Sequence, residues 1–204
     1  MNFNLSQLSP NKVYFTLIQA VVPRPIAWVL SENDDETLNL APFSYFNLVC
    51  SDPPLLILSI GKKRDGSIKD TRRNIIDRSH FVVHLPHATQ MEQVNESSRE
   101  LPANASEVEQ LQLSTEPFGP FPLPRLRDCR IALACTRYQV SEIGPNQQAL
   151  ILGLIEAIYI DDEIVHLDAK GSIHLDAKKL DPLSRLGGEE FGSLGDVFHL
   201  PRLR

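Results

Sequence analysis

The sequence predicts a mainly β protein, an antiparallel barrel or sandwich with helices at its periphery. Strand-like segments outnumber helical ones and mostly follow one another without a helical crossover, which disfavours a doubly wound parallel sheet. Fifteen prolines stand against ten glycines, and prolines are excluded from helix interiors and central strands, so their clusters mark boundaries. Because no linker-like segment divides the 204 residues, we expect a single domain over 1–204.

The first half of the chain predicts two helices and four strands. Ser9 followed by Pro10 is typical of an N-cap with proline at the first helical position, so a helix is expected over 10–20. Ser67 and Asp70 have the spacing of a capping box and predict a second helix over 67–77. The predicted strands, which are apolar runs bounded by turn residues or proline, cover 26–31, 38–46 with a break at Pro42, 55–60 and 81–85.

The second half of the chain predicts a long hairpin. Segments 129–140 and 149–160 are strand-like and are expected to pair through a turn at 142–147. Helices are predicted over 89–101 and 106–111, and a short strand over 164–167. The remaining segment, 181–204, is a tail punctuated by proline and glycine.

Composition excludes several classes of function. A net charge of −6 disfavours nucleic-acid binding, which depends on neutralising phosphates with Lys and Arg. Three cysteines without a CxxC pair indicate neither a disulfide framework nor a zinc site, and Cys129 and Cys135 are expected in the core. The first residues lack the order of a signal peptide, and the most apolar stretch, 149–160, is shorter than the roughly 20 residues that span a bilayer. We therefore expect a soluble, cytoplasmic protein that does not bind membranes.

The sequence also lacks the common catalytic and metal-binding motifs. The stretch from Gly61 begins like a P-loop, but Ser67 and Ile68 stand where Lys and Ser/Thr are required. No GxGxxG or GxSxG occurs. His80 and His84 lie on a predicted strand, where four residues separate side chains by about 13 Å. These two histidines and the neighbouring His87 are therefore expected to be hydrogen-bonded or surface side chains, and no metal site is expected.

A basic island lies within this acidic chain. Residues 61–73 read GKKRDGSIKDTRR, and six basic residues against two acidic ones give the segment a charge of +4. The predicted helix start lies inside the island, and the free N–H groups and positive dipole end of a helix favour an anion. Lys69 and the hydroxyl of Thr71 add further donors. Two interpretations remain open, a phosphate site and a solvated loop with surface charges.

A second unusual stretch combines small polar side chains with aromatic ones. Residues 39–47 read NLAPFSYFN, which is typical either of an edge strand with a bulge or of a strand end that presents donors and apolar surface to a flat ligand. The segment 23–28, PRPIAW, can form a rigid wall beside it. The residues alone thus indicate an antiparallel β domain that binds a phosphate-bearing, partly aromatic ligand.

Several motifs occur in a familiar order over nearly the whole chain. They are PRPIAW (23–28), NLAPFSYFN (39–47), DPPLLILSIG (52–61), KDTRRNI (69–75), FVVHL (81–85), LSRLGGEEF (183–191) and LGDVFHLPR (194–202). Each motif is weak by itself, but the ordered combination of PRPIA, NLAPFS, DPP and KDT is specific. The chain thereby resembles the flavin reductase-like family of FMN-binding split-barrel proteins.

The resemblance implies a six-stranded antiparallel Greek-key split barrel with peripheral helices, which forms a homodimer and binds FMN near the subunit interface. It also implies hydride transfer from NADH or NADPH to flavin, with reduced flavin or electrons passing to a second acceptor such as a monooxygenase. The alternatives within the family are an FMN-binding module without nicotinamide-dependent activity and a ligand-free interaction protein. Because the cofactor carries the chemistry, no catalytic side chain is assigned.

The resemblance further implies which residues contact FMN, motif by motif. They are Arg24, Pro25, Ile26 and Ala27 against the ring or ribityl chain, Asn39, Leu40, Ala41 and Ser44 at the polar edge of the ring, Phe46 and Asn47 along the wall toward the phosphate, and Ser59, Lys69, Asp70 and Thr71 at the ribityl and phosphate groups. Asp70 is expected to serve the helix cap, because two anions repel, and Arg185 is a further candidate for site or dimer contacts. The chain departs from the family pattern at Phe191, where tyrosine is more usual, and at His84, where asparagine is commoner.

Overall fold

A computed structural model describes residues 1–102, 105–168 and 170–201. Its α-helices are α1 (Pro10–Ala20), α2 (Asp70–Arg78), α3 (Met91–Glu96), α4 (Glu107–Gln110) and α5 (Ala177–Leu180). Its strands are β1 (Arg24–Pro25), β2 (Ala27–Glu32), β3 (Leu38–Phe43), β4 (Phe46–Ser51), β5 (Pro54–Ile60), β6 (His80–Leu85), β7 (Thr115–Glu116), β8 (Arg125–Leu126), β9 (Ile131–Ile143), β10 (Gln148–Ile160), β11 (Val165–Leu167), β12 (Ile173–Leu175), β13 (Ser184–Arg185) and β14 (Phe191–Gly192). Arg202, which ends the last family motif, lies outside the described residues.

Seven strands form one antiparallel sheet in the order β3-β2-β6-β9-β10-β5-β4. Strands far apart in this order share one apolar interior, because Val29 of β2 and Leu58 of β5 belong to the same buried cluster as Phe81 of β6. The sheet therefore curls into a barrel, and the barrel is split because its two edge strands, β3 and β4, are not hydrogen-bonded neighbours in the described sheet. The predicted mainly β split barrel is confirmed, with seven strands in the sheet where six were expected.

The additional strand is β4 (Phe46–Ser51), which shares only Phe46 with the strand predicted over 38–46; the rest of that prediction is β3, which ends at Phe43. The chain bends at residues 44 and 45, and β3 and β4 then lie at opposite edges of the sheet. Pro42 does not break β3 but pairs with Trp28 inside it. An edge strand tolerates proline because the missing N–H removes no hydrogen bond to a further strand.

The peripheral helices cover the outer face of the sheet. Trp28 and Val82 lie on that face in a second buried cluster, together with Val94 of α3 and Val108 of α4. The indole nitrogen of Trp28 donates to Ser97 Oγ at 2.8 Å, so the ring is fixed as well as buried. This outer packing holds α3 and the residues after it against the end of β3.

The long hairpin of β9 and β10 is confirmed, with twelve paired positions and two register shifts. One shift follows Leu152, next to Gly153. A Cβ atom at Gly153 would lie 2.5 Å from Phe81 Cζ and 3.2 Å from Leu56 Cδ1. The backbone of β10 therefore approaches the barrel interior closely enough that glycine is required at this position.

The first helix is confirmed and the second begins later than predicted. Ser9 caps α1 by accepting a hydrogen bond from the Lys12 N–H at 3.4 Å. The predicted helix start at Ser67 is wrong, because the carboxylate of Asp65 takes both the Ser67 N–H at 2.8 Å and its O–H at 2.6 Å. Ser67 is thereby held in a turn, and α2 begins at Asp70.

The predictions for the second half are confirmed for some elements and wrong for others. The helix expected over 89–101 is shorter, since α3 ends at Glu96. The helix expected over 106–111 is confirmed as α4, with Ser106 as its N-cap. Segment 164–167 contains β11, which pairs with β12, and the tail contributes β13, which pairs with β1 and β14. These short strands carry too few residues for a periodic signal.

Helix α4 protects the free edge of β3. Ser106 Oγ donates to the carbonyl of Leu38 at 2.6 Å, and Glu107 Oε2 accepts the N–H of Leu40 at 2.9 Å. An exposed strand edge carries unpaired N–H and C=O groups that proteins cover or block. The two side chains satisfy such groups and fix α4 beside β3.

The prediction that His84 is hydrogen-bonded is confirmed. His84 is fully buried, its Nε2 accepts the Leu126 N–H at 2.9 Å, and its Nδ1 lies 3.1 Å from the carbonyl oxygen of Trp28. The ring is therefore assigned as neutral with the proton on Nδ1. Burial lowers the pKa of His84 to about 4.

Cys129 and Cys135 are buried, as predicted. Burial raises the pKa of the Cys129 thiol to about 12 and also raises that of Cys135. The reactive thiolate is thus disfavoured at both positions. None of the described helices combines the length and the hydropathy needed to cross a membrane.

Candidate functional site

Two clefts adjoin at the end of β3 and share Pro42, Phe43 and Ser98. The aromatic cleft presents polar and apolar surface in similar amounts and is lined by Ile26, Pro42, Phe43, Ser44, Val94, Asn95, Ser98, Arg185 and Phe191. The charged cleft is lined by Asn39, Ala41, Pro42, Phe43, Lys63, Lys69, Asp70, Thr71, Ser97, Ser98, Arg99, Glu100, Leu101 and Glu107.

Most cations of the basic island have partners within the chain. The carboxylate of Asp70 binds Lys63 Nζ at 2.7 Å and an Arg73 nitrogen at 3.1 Å. The remaining contacts join Arg72 to Glu142 and Lys62 Nζ to Gln147 Oε1 at 2.6 Å. The island is therefore only partly a solvated surface, because its charges fasten α2 and the preceding loop to the barrel.

Lys69 is different from these cations. Among the ion pairs of the described residues, none joins Lys69 to a carboxylate. Its Nζ lies over the Phe43 ring, 5.8 Å from the centroid, and burial lowers its pKa, with Glu100 opposing the shift. A partly desolvated ammonium beside a cleft is stabilised by an anion.

Lys69 also occupies the N-cap position of α2. An ammonium group has no lone pair with which to accept a hydrogen bond from the first-turn amides. The positive end of the nine-residue helix is therefore not capped by its own N-cap side chain. Helix end and ammonium together form a donor set suited to a phosphate.

A buried polar network fixes the donors below this helix end. Asn39 Nδ2 donates to Thr71 Oγ1 at 2.9 Å and to Ser31 Oγ at 3.1 Å. Asn74 Nδ2 donates to Ser31 Oγ at 3.1 Å and to Asn33 Oδ1 at 2.9 Å. The Thr71 oxygen accepts a hydrogen bond in this network, so its hydroxyl proton remains available for donation to another group. Buried and hydrogen-bonded groups of this kind hold side chains in one orientation.

A single cation enters the aromatic cleft. The Arg185 guanidinium carbon lies 4.3 Å from the centroid of the Phe191 ring, and one guanidinium nitrogen donates to the Gly188 carbonyl at 2.8 Å. Burial lowers the pKa of Arg185, and the nearby Arg24 adds to the shift. The cleft thus combines apolar walls with one oriented positive charge.

The structure brings together half of the residues that the resemblance selected. Those that line the clefts are Ile26, Asn39, Ala41, Ser44, Lys69, Asp70 and Thr71. The expectation that Asp70 serves the helix cap is wrong, because its carboxylate is held by Lys63 and Arg73. Asp70 instead fixes the position of Lys63 at the cleft wall.

Arg24 lies beneath the site and not in its lining. The side chain is 7% exposed, and its guanidinium donates to the carbonyls of Ile18, Val21 and Leu186, the last two at 2.7 Å. Its Nε also donates weakly to Ser44 Oγ at 3.4 Å. Arg24 therefore ties the end of α1 and the loop after β13 to the wall of the aromatic cleft.

The remaining predicted residues lie outside the described cleft linings. Ala27 and Leu40 are fully buried in the two cores, Pro25 is exposed beside β13, and Phe46 packs against the barrel interior. Asn47 is exposed on β4. Ser59 accepts a hydrogen bond from Gln148 Nε2 at 2.9 Å. Their contacts with FMN stay predictions of the resemblance.

Sequence reasoning missed the wall supplied by α3 and α4. Glu107 lines the charged cleft although it is buried, and burial, reinforced by Asp70, raises the pKa of its carboxyl. Val94, Asn95 and Ser98 line the aromatic cleft from the other side. No local pattern announces these residues, because they reach the site only through the packing of α3 and α4 against β3.

The chain forms an antiparallel split barrel in which phosphate-type donors lie beside an aromatic cleft. This arrangement is typical of barrel proteins whose site suits a phosphorylated aromatic ligand. The chain belongs to the family described as flavin reductase like domain, whose model matches residues 19–174. Membership of this family supports flavin binding and places the protein among flavin-related oxidoreductases.

The chain is similar to proteins of several bacteria. It is 37% identical to an uncharacterized protein of Halalkalibacterium halodurans over 206 residues, which cover 99% of this chain and 96% of the relative. It resembles the structure of nitrilotriacetate monooxygenase component B from Bacillus cereus, with 31% identity, a TM-score of 0.88 and 98% coverage of both chains. It also resembles 2-nitrobenzoate 2-nitroreductase NbaA from Pseudomonas fluorescens, with 29% identity, a TM-score of 0.87, and coverage of 99% of this chain and 96% of that one.

Proposed function

We propose that this protein binds FMN across the two joined clefts and transfers hydride from NADH or NADPH to that flavin. The observation that carries the proposal is the position of Lys69 and the open end of α2 in a cleft that continues past Phe43 into aromatic walls. FMN has the matching chemistry, since a phosphate ends a polar chain attached to a flat ring. The residues present therefore fit the cofactor.

The charged cleft would hold the phosphate. Lys69 supplies a positive charge that forms no ion pair among the described residues, Thr71 supplies a fixed hydroxyl, and the first turn of α2 supplies N–H groups. Lys63 adds a second cation, which Asp70 holds at the wall. The aromatic cleft would hold the ring between Ile26, Phe43 and the α3 side.

When bound, the flavin accepts and donates hydride, so the protein needs no nucleophile of its own. The task of the chain is to bind and orient the cofactor and to keep one face of the ring accessible to a donor. The buried network that fixes Asn39 and Thr71 serves the orientation. Reduced flavin or electrons would then pass to a second acceptor, and similarity to a monooxygenase component B supports a monooxygenase in that role.

The proposed assembly is a homodimer. Helix α1 buries only Ile18, while Tyr14, Phe15 and Leu17 are 49%, 46% and 40% exposed. Burial, with a contribution from Tyr14, raises the pKa of Tyr45, so Tyr14 lies near the start of β4. An exposed apolar surface of this extent supports an interface between protein chains.

The test is an FMN titration of the purified, flavin-stripped protein, followed by flavin absorbance and fluorescence. We expect saturable binding with a perturbed flavin spectrum, and then bleaching of the bound flavin on anaerobic addition of NADH or NADPH. Binding without bleaching by either donor would favour an FMN-binding module. Absence of binding up to millimolar FMN would contradict the cofactor assignment and favour an interaction protein.

A further inference from the structure

The two clefts differ in their charge. The lining of the charged cleft contains six ionisable side chains, Lys63, Lys69, Asp70, Arg99, Glu100 and Glu107. The lining of the aromatic cleft contains one, Arg185. No ion pair of the described residues joins Arg185 to a carboxylate. Glu189 attracts the Arg185 guanidinium only at longer range, so its N–H donors remain available to an anionic ligand.

Arg185 is held in a defined orientation. Pairing of β13 with β1 and β14 fixes its backbone, and the guanidinium plane is supported by the Phe191 ring at 4.3 Å. A guanidinium carries five N–H donors, and Gly188 accepts one of them. The other donors form a planar fork that matches the two oxygens of a carboxylate.

The surroundings of Arg185 favour a flat ligand that combines an apolar ring with a polar group. Ile26, Phe43 and Val94 supply apolar walls, and Phe191 supplies an aromatic platform beside the charge. Ser44 and Asn95 are neutral polar groups at the same cleft. The burial that lowers the pKa of Arg185 indicates a guanidinium that is partly removed from water, where an ion pair with a ligand is stronger than at a solvated surface.

We propose, on the basis of the FMN function proposed above, that the aromatic cleft also binds a small aromatic carboxylate, with Arg185 receiving the carboxylate. The ligand would lie beside the flavin with its ring against Phe191. A pyrophosphate is a poorer match, because it carries two negative charges and the cleft offers one guanidinium. Arg185 is thus the residue that selects acidic aromatic ligands over neutral ones.

The experiment titrates FMN-loaded protein with benzoate and with its neutral analogue benzamide, followed by the flavin absorbance spectrum and by calorimetry. We expect benzoate to bind more tightly than benzamide. Because charge-assisted hydrogen bonds are lost, Arg185→Gln should raise the Kd of benzoate about tenfold to a hundredfold. The same substitution should leave the Kd of benzamide within about twofold of the wild type, and an FMN titration of the variant shows separately whether Arg185 also contacts the cofactor.

Two further variants test whether a change in benzoate affinity comes from the guanidinium of Arg185 or from a general effect on charge or folding. Arg185→Lys keeps the charge without the planar fork and should show an intermediate Kd for benzoate. Arg64→Gln removes an exposed arginine of the basic island and should change neither affinity. Thermal unfolding of each variant checks that the tail strands remain in place.

The outcomes distinguish this proposal from the proposed function. Failure of the wild type to bind FMN overturns the proposed function and with it the basis of this inference. If FMN binds but benzoate binds no better than benzamide, the carboxylate site is overturned and the FMN function stands. If Arg185→Gln instead weakens FMN or NADH, Arg185 serves the cofactor or the donor, and the assignment to an aromatic acid is wrong.

Discussion

Lys69 concentrates several separate features in one side chain. It caps a helix without being able to accept a hydrogen bond, it is partly buried over Phe43, and no described carboxylate pairs with it. The neighbouring cations Lys63 and Arg73 share the single carboxylate of Asp70. Of the two described island cations that line the charged cleft, Lys63 and Lys69, only Lys69 lacks an ion pair, so its charge is the more available to a ligand.

Replacing Lys69 by methionine should weaken FMN binding while keeping the apolar contact with Phe43. Loss of one charge-assisted hydrogen bond costs about 1.5–3 kcal/mol, which corresponds to a Kd about tenfold to over a hundredfold higher. The FMN titration measures this directly, with Arg64→Gln as the control for loss of an exposed positive charge. Equal weakening in both variants would mean that the net charge of the island, and not Lys69, attracts the anion.

His84 links the pH of the solution to the stability of the fold. The unfolded residue has a pKa near 6.5, and the folded one has a pKa of about 4 because of burial. As the pH falls from 6.5 to 4, the unfolded chain binds a proton that the native chain excludes, so the free energy of unfolding decreases. The loss reaches about 3 kcal/mol near the lower pH and is absent above pH 7.

His84→Gln should remove this pH dependence. Urea unfolding at several pH values between 7.5 and 4.5 would measure it as the difference in slope between wild type and variant. The variant should be less stable at pH 7.5, by about 1–3 kcal/mol, because one buried hydrogen bond is lost, and it should lose less stability on acidification. His166→Gln, at an exposed position, is the control, and a slope unchanged by His84→Gln would contradict the assignment.

At the scale of elements, the sequence predicts those segments whose signals are local. The helix over 10–20 was found with those bounds because Ser9 and Pro10 act within one turn. The helix start at Ser67 failed because Asp65 competes for the same hydroxyl and amide. Strand β4 was not predicted because its pairing depends on the chain crossing, after Phe43, to the opposite edge of the sheet.

The residues of the candidate site likewise divide into those with a local sequence signal and those that only the packing of distant elements places there. The donors Lys69 and Thr71 were found because an excess of positive charge is visible in the sequence. Arg24 was expected at the ligand, yet its guanidinium is occupied by backbone carbonyls of α1 and the tail. Glu107 was missed because its role depends on the docking of α4 onto the edge of β3. Contacts between elements distant in sequence leave no local signature.

The close contact between β10 and β6 can be tested by adding one methyl group at Gly153. Gly153→Ala would place Cβ 2.5 Å from Phe81 Cζ, so the ring or the strand must shift, at a cost of about 1–3 kcal/mol in the free energy of unfolding. Gly195→Ala is the matched control, because no atom lies within 4 Å of its Cβ, and it should change stability by less than about 0.5 kcal/mol. Equal effects would show that the strands do not pack as described.

Phe81→Leu can be combined with Gly153→Ala to identify the contact. If the clash causes the loss, the double variant should be more stable than the sum of the two single effects predicts. Additive effects would place the cause elsewhere. Denaturant unfolding of the four proteins completes the cycle.

At the scale of the whole molecule, the distribution of apolar surface bears on assembly. The barrel and its outer helices bury two cores, yet Leu48 and Val49 on the edge strand β4 remain 64% and 50% exposed. Tyr14 and Phe15 of α1 add to this surface. A strand edge that is both apolar and unpaired invites association unless a partner covers it.

We expect the protein to sediment at twice its monomer mass of 22.9 kDa. Leu48→Glu and Phe15→Glu should each shift the equilibrium toward the monomer, because a carboxylate buried in an interface without a partner is strongly unfavourable. Ile173→Glu places the same charge on the separate hairpin of β11 and β12, where Ile173 is 65% exposed, and should leave the dimer intact. Analytical ultracentrifugation measures all four proteins. If Ile173→Glu alone produced monomers, the hairpin and not the surface of α1 and β4 would form the interface. Loss of FMN affinity together with the dimer would further indicate that the two joined clefts depend on the second copy.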